Sequence, residues 1–442
     1  MENTNTQKSS KGNFIKGAVW IAAGGFLAKL IGALYRIPLT NAIGGRGLGL
    51  YQMVYPVYCL LLTVSATGIP SSIAKLTAER LSHGEGTAAL FKTAMKLFIL
   101  VGIFGSALMA ILAPVLAKAQ GSESVLGGYY TLAPSVLLVS AISVFRGWFQ
   151  GRNNMLPTAL SEILEQLVKV GFGLLFAYLF RENIERAVVF LLLAVSLSEL
   201  FTLFFLLAIY RHAPAKTGEN AKPVKMRSIL RLSVPVTFNS ILLPLSALLD
   251  SVLVPRLLGA YAPDPVTLYG LFAGGAVTII NLPVSVCYGI AAASIPAVAG
   301  KHGNPRKRIR FALWITVVVA LPCAVGLYLF AEPATRVIFR ALSTTESEVL
   351  TELVRALSVS ALLLACVQTL SACLTAQGKP QLAALSMLIA VTVKTAVYTG
   401  LLKNAKISIL GLAYATNICY LVAFLLDLLY NLLVSRRKRK EW

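Results

Sequence analysis

FQGRNNMLPTALSEILEQLVKV (149–170) and TAQGKPQLAALSMLIAVTVKTA (375–396) follow one plan: a glycine-containing basic turn, a proline, then a mostly apolar run with a lysine towards its end, Lys169 or Lys394. Proline is tolerated in the first helical turn because its missing N–H has no partner there, so each segment reads as the start of a helix. GIPSSIAKL (68–76) and SIPAVAGKH (294–302) form a second pair with nearly the same separation of about 225 residues. A repeat of that period predicts two halves of the same orientation, related by an axis along a membrane normal.

The membrane enters through composition. Of 442 residues, 57% are hydrophobic and 13% charged, with a mean hydropathy of +0.75, whereas ordinary soluble domains carry roughly 25% charged residues. Apolar runs of about twenty residues recur from 14–35 to 408–434, each long enough for a hydrocarbon layer roughly 30 Å thick. Barrel strands would be about ten residues with period-two alternation, which is absent. The expected fold is an all-α polytopic membrane protein with about twelve transmembrane helices in two six-helix bundles. The expected domains are 1–210, a cytoplasmic linker at 211–228, a second bundle at 229–434 and a basic tail at 435–442. The first run exceeds a signal-peptide core and is expected to be retained.

Roughly two thirds of the 40 Lys and Arg fall in loops that this topology places inside, as the positive-inside rule requires. Both termini are therefore expected in the cytoplasm. Most of the formal net charge of +22 reflects topology, and the tail SRRKRKEW reads as an anchor for anionic lipid headgroups, not a nucleic-acid site. Cys59, Cys287, Cys323, Cys366, Cys373 and Cys419 lie in apolar runs without metal or disulfide spacing.

Ionisable groups at membrane depth are costly and normally face a cavity or a partner. Ala22, Gly25, Lys29, Gly32 and Arg36 share one face of the first helix, with Leu27, Leu30, Ile31 and Leu34 opposite. That face suits either a hydrated cavity wall or cations that snorkel to headgroups. GGRGLG (44–49) reads as a flexible turn, since no strand precedes it and no Walker Lys-Ser/Thr follows. Its Arg46, with Arg256, is a candidate for the cavity mouth.

Glu162, Glu165 and Lys169 share a face of the fifth helix, where Glu165 and Lys169 have the favourable i, i+4 order. Asn239 and Asp250, on a seventh helix punctuated by Pro235, Pro244 and Pro255, suit a cation site, a gating bend or a polar helix contact. Asn417, Tyr420, Phe424, Asp427 and Asn431 form a further stripe, with Asp427 and Asn431 near the cytoplasmic interface. Arg146 and Arg152 sit at the inner end of the fourth helix, where cytoplasmic retention or gating accounts for them. His83, His212 and His302 all fall in loops, and no Gly-x-Ser-x-Gly, His-Glu-x-x-His or Walker sequence is present. Enzymatic chemistry therefore lacks its parts, no cofactor is implied, and transport is the remaining class.

AKLIGALYRIPLTNAIGGRGLGLYQMVYPVYCLLLTVSATGIPSSIAKLTAER (28–80) and FRGWFQGRNNMLPTALSEILEQ (145–166) resemble the stage V sporulation protein B family of polysaccharide-type flippases. That family belongs to the multidrug/oligosaccharidyl-lipid/polysaccharide flippase superfamily, which includes the lipid II flippases. The resemblance implies a MATE-like fold that works by alternating access on an undecaprenyl-pyrophosphate-linked glycan, with possible cell-envelope synthesis partners. It also implies that Lys29 and Arg36, and less directly Arg46 and Arg256, meet the pyrophosphate. Lys169 and Lys394, charged at membrane depth, are further substrate-binding candidates. Glu162, Glu165, Asn239 and Asp250 are the expected ion-coupling or gating residues. In some relatives a sodium site uses carboxylates and amides of helices seven, eleven and twelve. Here helix eleven carries Lys394, and a lysine can stand in for that ion. The rival expectations are a cation-coupled multidrug exporter of the same fold, supported by Glu162, Glu165 and Asp250, and a non-transporting envelope scaffold anchored by its tail.

Overall fold

The computed structural model of the protein describes residues 2–212, 226–285, 287 and 305–438. Side chains are described from Gly24 to Ser435 within these ranges, except those of Phe26, Lys29, Ala33, Val234, Pro235, Val236, Phe238, Asn239 and Pro305.

Among the described residues, nine helical stretches are long and apolar enough to cross a membrane. The first half contains α1 (Glu2–Leu62), α2 (Ile69–Ser82), α3 (Ala88–Gln120), α4 (Leu126–Gly151), α5 (Leu156–Leu179) and α6 (Ile184–His212). Next come α7 (Met226–Ser240), α8 (Leu242–Leu258) and α9 (Pro265–Gly270), the last continuing through a π-helical turn at Leu271–Ala276 to Ser285. The chain ends with α10 (Pro305–Leu329), α11 (Ala331–Ile338), α12 (Thr344–Ala376), α13 (Pro380–Leu401) and α14 (Leu410–Lys438).

The difference between nine stretches and twelve expected segments has physical causes. The expected helices 14–35 and 48–72 correspond to two helices that meet end to end at a kink at Gly44 (φ 65°, ψ −171°) within the range of α1, with a π-helical turn at Thr63–Thr67 closing the second. Helix α5 carries Glu162, Glu165 and Lys169 within eight residues. The expected segment 229–258 is divided between α7 and α8, with the break just before Pro244.

The chain forms two compact units. One comprises 1–43, 54–118 and 122–244, and the other 44–53, 119–121 and 245–442. In the first, α6 packs along α4 and α5, and α2 lies against α4. Glycine sets the last distance: a Cβ at Gly147 would come within 2.7 Å of the Pro70 carbonyl oxygen, and one at Gly151 within 2.6 Å of that of Ala74. Small residues allow such close approach in a membrane, where lipid gives helices no hydrophobic drive to associate. Phe91, Phe145, Trp148 and Tyr210 interlock at one end of this unit, and the Arg152 guanidinium lies 4.4 Å from the Trp148 ring centroid.

In the second unit α12 packs against α10 and α14, and α13 against α14. Helices α3 and α10 leave large apolar side chains such as Phe104, Ile111, Phe311 and Trp314 on the surface, as lipid-facing helices do.

GGRGLG is helical and packed beyond its first residue, which corrects the expected flexible turn. Gly44 makes the kink, which requires positive φ. A Cβ at Gly49 would lie 2.1 Å from the Val266 carbonyl oxygen, and one at Gly270 would lie 2.3 Å from that of Gly45. Two backbones therefore touch where these glycines meet.

Candidate functional site

The membrane-embedded charges of the first unit gather where α1, α4, α5 and α6 meet. On α1, a Cβ at Gly24 would meet Ala159, one at Gly25 would lie 3.5 Å from Glu162 Oε2, and one at Gly32 would lie 3.1 Å from Gln166 Oε1. The small residues expected to line a hydrated wall thus bring α1 onto the polar face of α5, with Leu27, Leu30 and Leu34 exposed on the other side. Arg36 continues the stripe one turn further and is half-buried. The charges of Arg36 and Lys169 both reach the Cys59 thiol, so these two cations share one region.

Arg146 of α4 donates to Glu165 of α5 at 2.9 Å and to Ser161 Oγ at 2.9 Å. Arg146 lies within a helix contact, its side chain 15% exposed. It engages Glu165 across helices, because the guanidinium fork can satisfy carboxylate and hydroxyl together. Lys169 lies over the Tyr55 ring, 5.3 Å from its centroid.

Glu199 of α6 completes the group and was not singled out from the sequence. It is 3% exposed and accepts a hydrogen bond from Tyr58 Oη at 3.4 Å. Glu165, Arg146 and Lys169 all act on it electrostatically. The available signal was one carboxylate inside the apolar run FLLLAVSLSELFTLFFLL, which is costly unless something in the fold answers it.

The second unit treats its charges differently. Lys394 of α13 and Asp250 of α8 form a buried ion pair, with side chains 8% and 9% exposed. Ser246 Oγ lies 3.4 Å from the same ammonium. The ammonium lies directly against the Asp250 carboxylate, and each charge neutralises the other locally. Asp427 accepts from Ser371 Oγ at 2.6 Å and also from Ser386 Oγ. Asn431 receives Gln377 Nε2 at 2.7 Å. Both Asp427 and Asn431 are buried, and their bonds join α12, α13 and α14.

Arg46 lies 3.7 Å from Asp264 with half of its side chain exposed, and Asp264 also caps α9 through the Thr267 amide. Arg256 is exposed at the end of α8. The side chains of Lys29 and Asn239, and the tail from 436 onwards, lie outside the described residues.

Intramembrane charges on helices packed through glycine define a multi-pass membrane protein of transporter architecture. The fold aligns with an inward-facing multidrug resistance MATE family transporter of the MOP superfamily, with a TM-score of 0.77 and 16% identity over 93% of this chain and 96% of that one. It also aligns with the lipid II flippase MurJ in an inward closed conformation, with a TM-score of 0.73 and 14% identity over 93% and 87% of the two chains. Residues 14–302 match the family described as polysaccharide biosynthesis protein, and the chain belongs to that family. Among its relatives in Bacillus subtilis (strain 168), stage V sporulation protein B is 26% identical over 75% of this chain and 67% of its own length. Lipid II flippase MurJ of the same organism is 22% identical over 96% of this chain and 82% of its own.

Proposed function

We propose that the protein is a flippase that moves an undecaprenyl-pyrophosphate-linked glycan, a peptidoglycan precursor or a related envelope polysaccharide unit, from the inner to the outer leaflet of a bacterial plasma membrane by alternating access. The observation that carries this reading is the meeting of Arg36, Arg146 and Lys169 at membrane depth in the first unit. Lys29, two turns before Arg36 on the same helix, is assigned to the same site.

A pyrophosphate leaving water loses solvation that apolar lipid cannot replace. Fixed cations restore part of it, and guanidinium groups suit phosphate oxygens because their donors are planar and paired. With the termini in the cytoplasm, an inside-negative potential favours outward movement of the anion by about 2.3 kcal/mol per charge per 100 mV.

The exporter reading calls for unpaired carboxylates to hold a cationic drug. Glu165 is joined to Arg146 and Asp250 to Lys394, so two of the three carboxylates that would serve an exporter are already engaged by cations of this chain. The basic tail is assigned to anionic headgroups. The test is translocation of a fluorescent undecaprenyl-pyrophosphate-linked sugar in proteoliposomes. The double variant Arg36→Ala/Lys169→Ala is expected to lose at least about tenfold in rate, the equivalent of about 1.4 kcal/mol. Wild-type translocation by that variant refutes the assignment.

A further inference from the structure

We propose that Glu199 is a proton-binding site, and that its proton is linked to occupation of the neighbouring cations by the anionic headgroup; the linkage rests on the function proposed above. Glu199 lies fifteen residues into α6, a helix that runs from Ile184 to His212. At about 1.5 Å per residue this is near the middle of the span. Its side chain is almost wholly screened from solvent.

One carboxylate oxygen accepts from Tyr58 at 3.4 Å, while Oε2 accepts no hydrogen bond from the protein. The nearest guanidinium, Arg146, already donates to Glu165 and Ser161. The groups facing Glu199 from the packed helices are Tyr58 of α1, Arg146 of α4, and Glu165 and Lys169 of α5. Glu165 brings a second negative charge towards the same point. An ionised carboxylate held in this way has one long donor and a like charge nearby, and a proton removes both difficulties at once.

The consequence for cargo follows from charge. A proton on Glu199 adds one positive unit to a region that already contains Arg36, Arg146 and Lys169, opposed by Glu162 and Glu165. An anionic headgroup therefore binds more tightly when the proton is present. By reciprocity, headgroup binding draws the proton in by the same factor.

The test uses the full chain in lipid nanodiscs, with undecaprenyl pyrophosphate as probe and its affinity followed from acidic to alkaline pH. Wild type is expected to lose affinity above a single transition, by up to about tenfold per pH unit, the slope of one linked proton. Glu199→Gln, which keeps the shape and fixes the group neutral, is expected to bind across the range at the acidic-limit affinity. Retention of the wild-type slope in Glu199→Gln, or a flat wild-type profile, overturns the linkage.

Infrared spectroscopy of the probe-free protein reads the proton itself. A protonated-carboxyl band present in wild type and missing in Glu199→Gln supports the site, and its absence at acidic pH overturns it. Replacing sodium with choline at fixed pH is expected to change neither readout; a sodium-dependent response overturns the proton in favour of a metal cation. A wild-type chain that binds no undecaprenyl pyrophosphate at any pH refutes the cargo and with it the linkage, while the infrared band still decides whether Glu199 holds a proton.

Discussion

Neutralising one member of the Lys394–Asp250 pair should be far more damaging than neutralising both. The two side chains are 8% and 9% exposed, so solvent can do little to screen a charge left alone there. Removing one partner from a buried pair costs about 3–5 kcal/mol, whereas replacing both with uncharged groups of similar volume is often close to neutral. Asp250→Asn and Lys394→Met are each expected to destabilise the protein by about that amount, and the double variant to recover to within about 1 kcal/mol of wild type. The cycle then yields a coupling energy of several kcal/mol, well above the few tenths typical of independent sites. The assay is reversible denaturant unfolding in mixed micelles, followed by helicity, with the Phe91–Trp148 cluster as a fluorescence reporter of the other unit. Singles that each cost under about 1 kcal/mol, or a double that costs their sum, refute the argument that these charges answer only one another.

Three further outcomes are expected on the same scale. Gly49→Val should destabilise by at least about 2 kcal/mol, because even its Cβ would lie 2.1 Å from the Val266 carbonyl oxygen. Gly171→Ala on α5, where no neighbour lies within 4 Å, should be neutral or stabilising by up to about 1 kcal/mol, and both are read by unfolding in micelles. Arg46→Ala should cost no more than about 1 kcal/mol, since its pair with Asp264 is 3.7 Å apart and half-exposed; a larger loss in the same measurement would give Arg46 a structural role that the geometry does not.

The helical membrane architecture was legible because apolar length and composition are local properties. Pairings across helices were harder to read. Glu165 has a lysine at i+4 in its own helix, and sequence spacing ranks that neighbour first; the structure brings Arg146, nineteen residues earlier on α4, to the same carboxylate. The stripe of Gly25, Gly32 and Arg36 was identified as one face, but periodicity does not say whether a face of small residues meets water or another helix. Lys394 and Asp250 were both recognised as costly at membrane depth, and only three-dimensional proximity shows that each answers the other. Their counterparts at the repeat spacing of about 225 residues are Lys169 and Gly25. The first unit therefore has the lysine without an acid at the matching place on its first helix, and its carboxylates come from α5 and α6 instead.

The glycines at 147 and 151 have a thermodynamic consequence of their own. Where α4 meets α2, the two glycines have no side-chain rotamers to freeze when the helices dock, and they face Pro70, Ile73, Ala74 and Thr77, a set of rigid, small or β-branched residues. Such a seam forms with less of the configurational penalty that leucine or methionine would incur, and it has little torsional freedom through which heat can loosen it gradually.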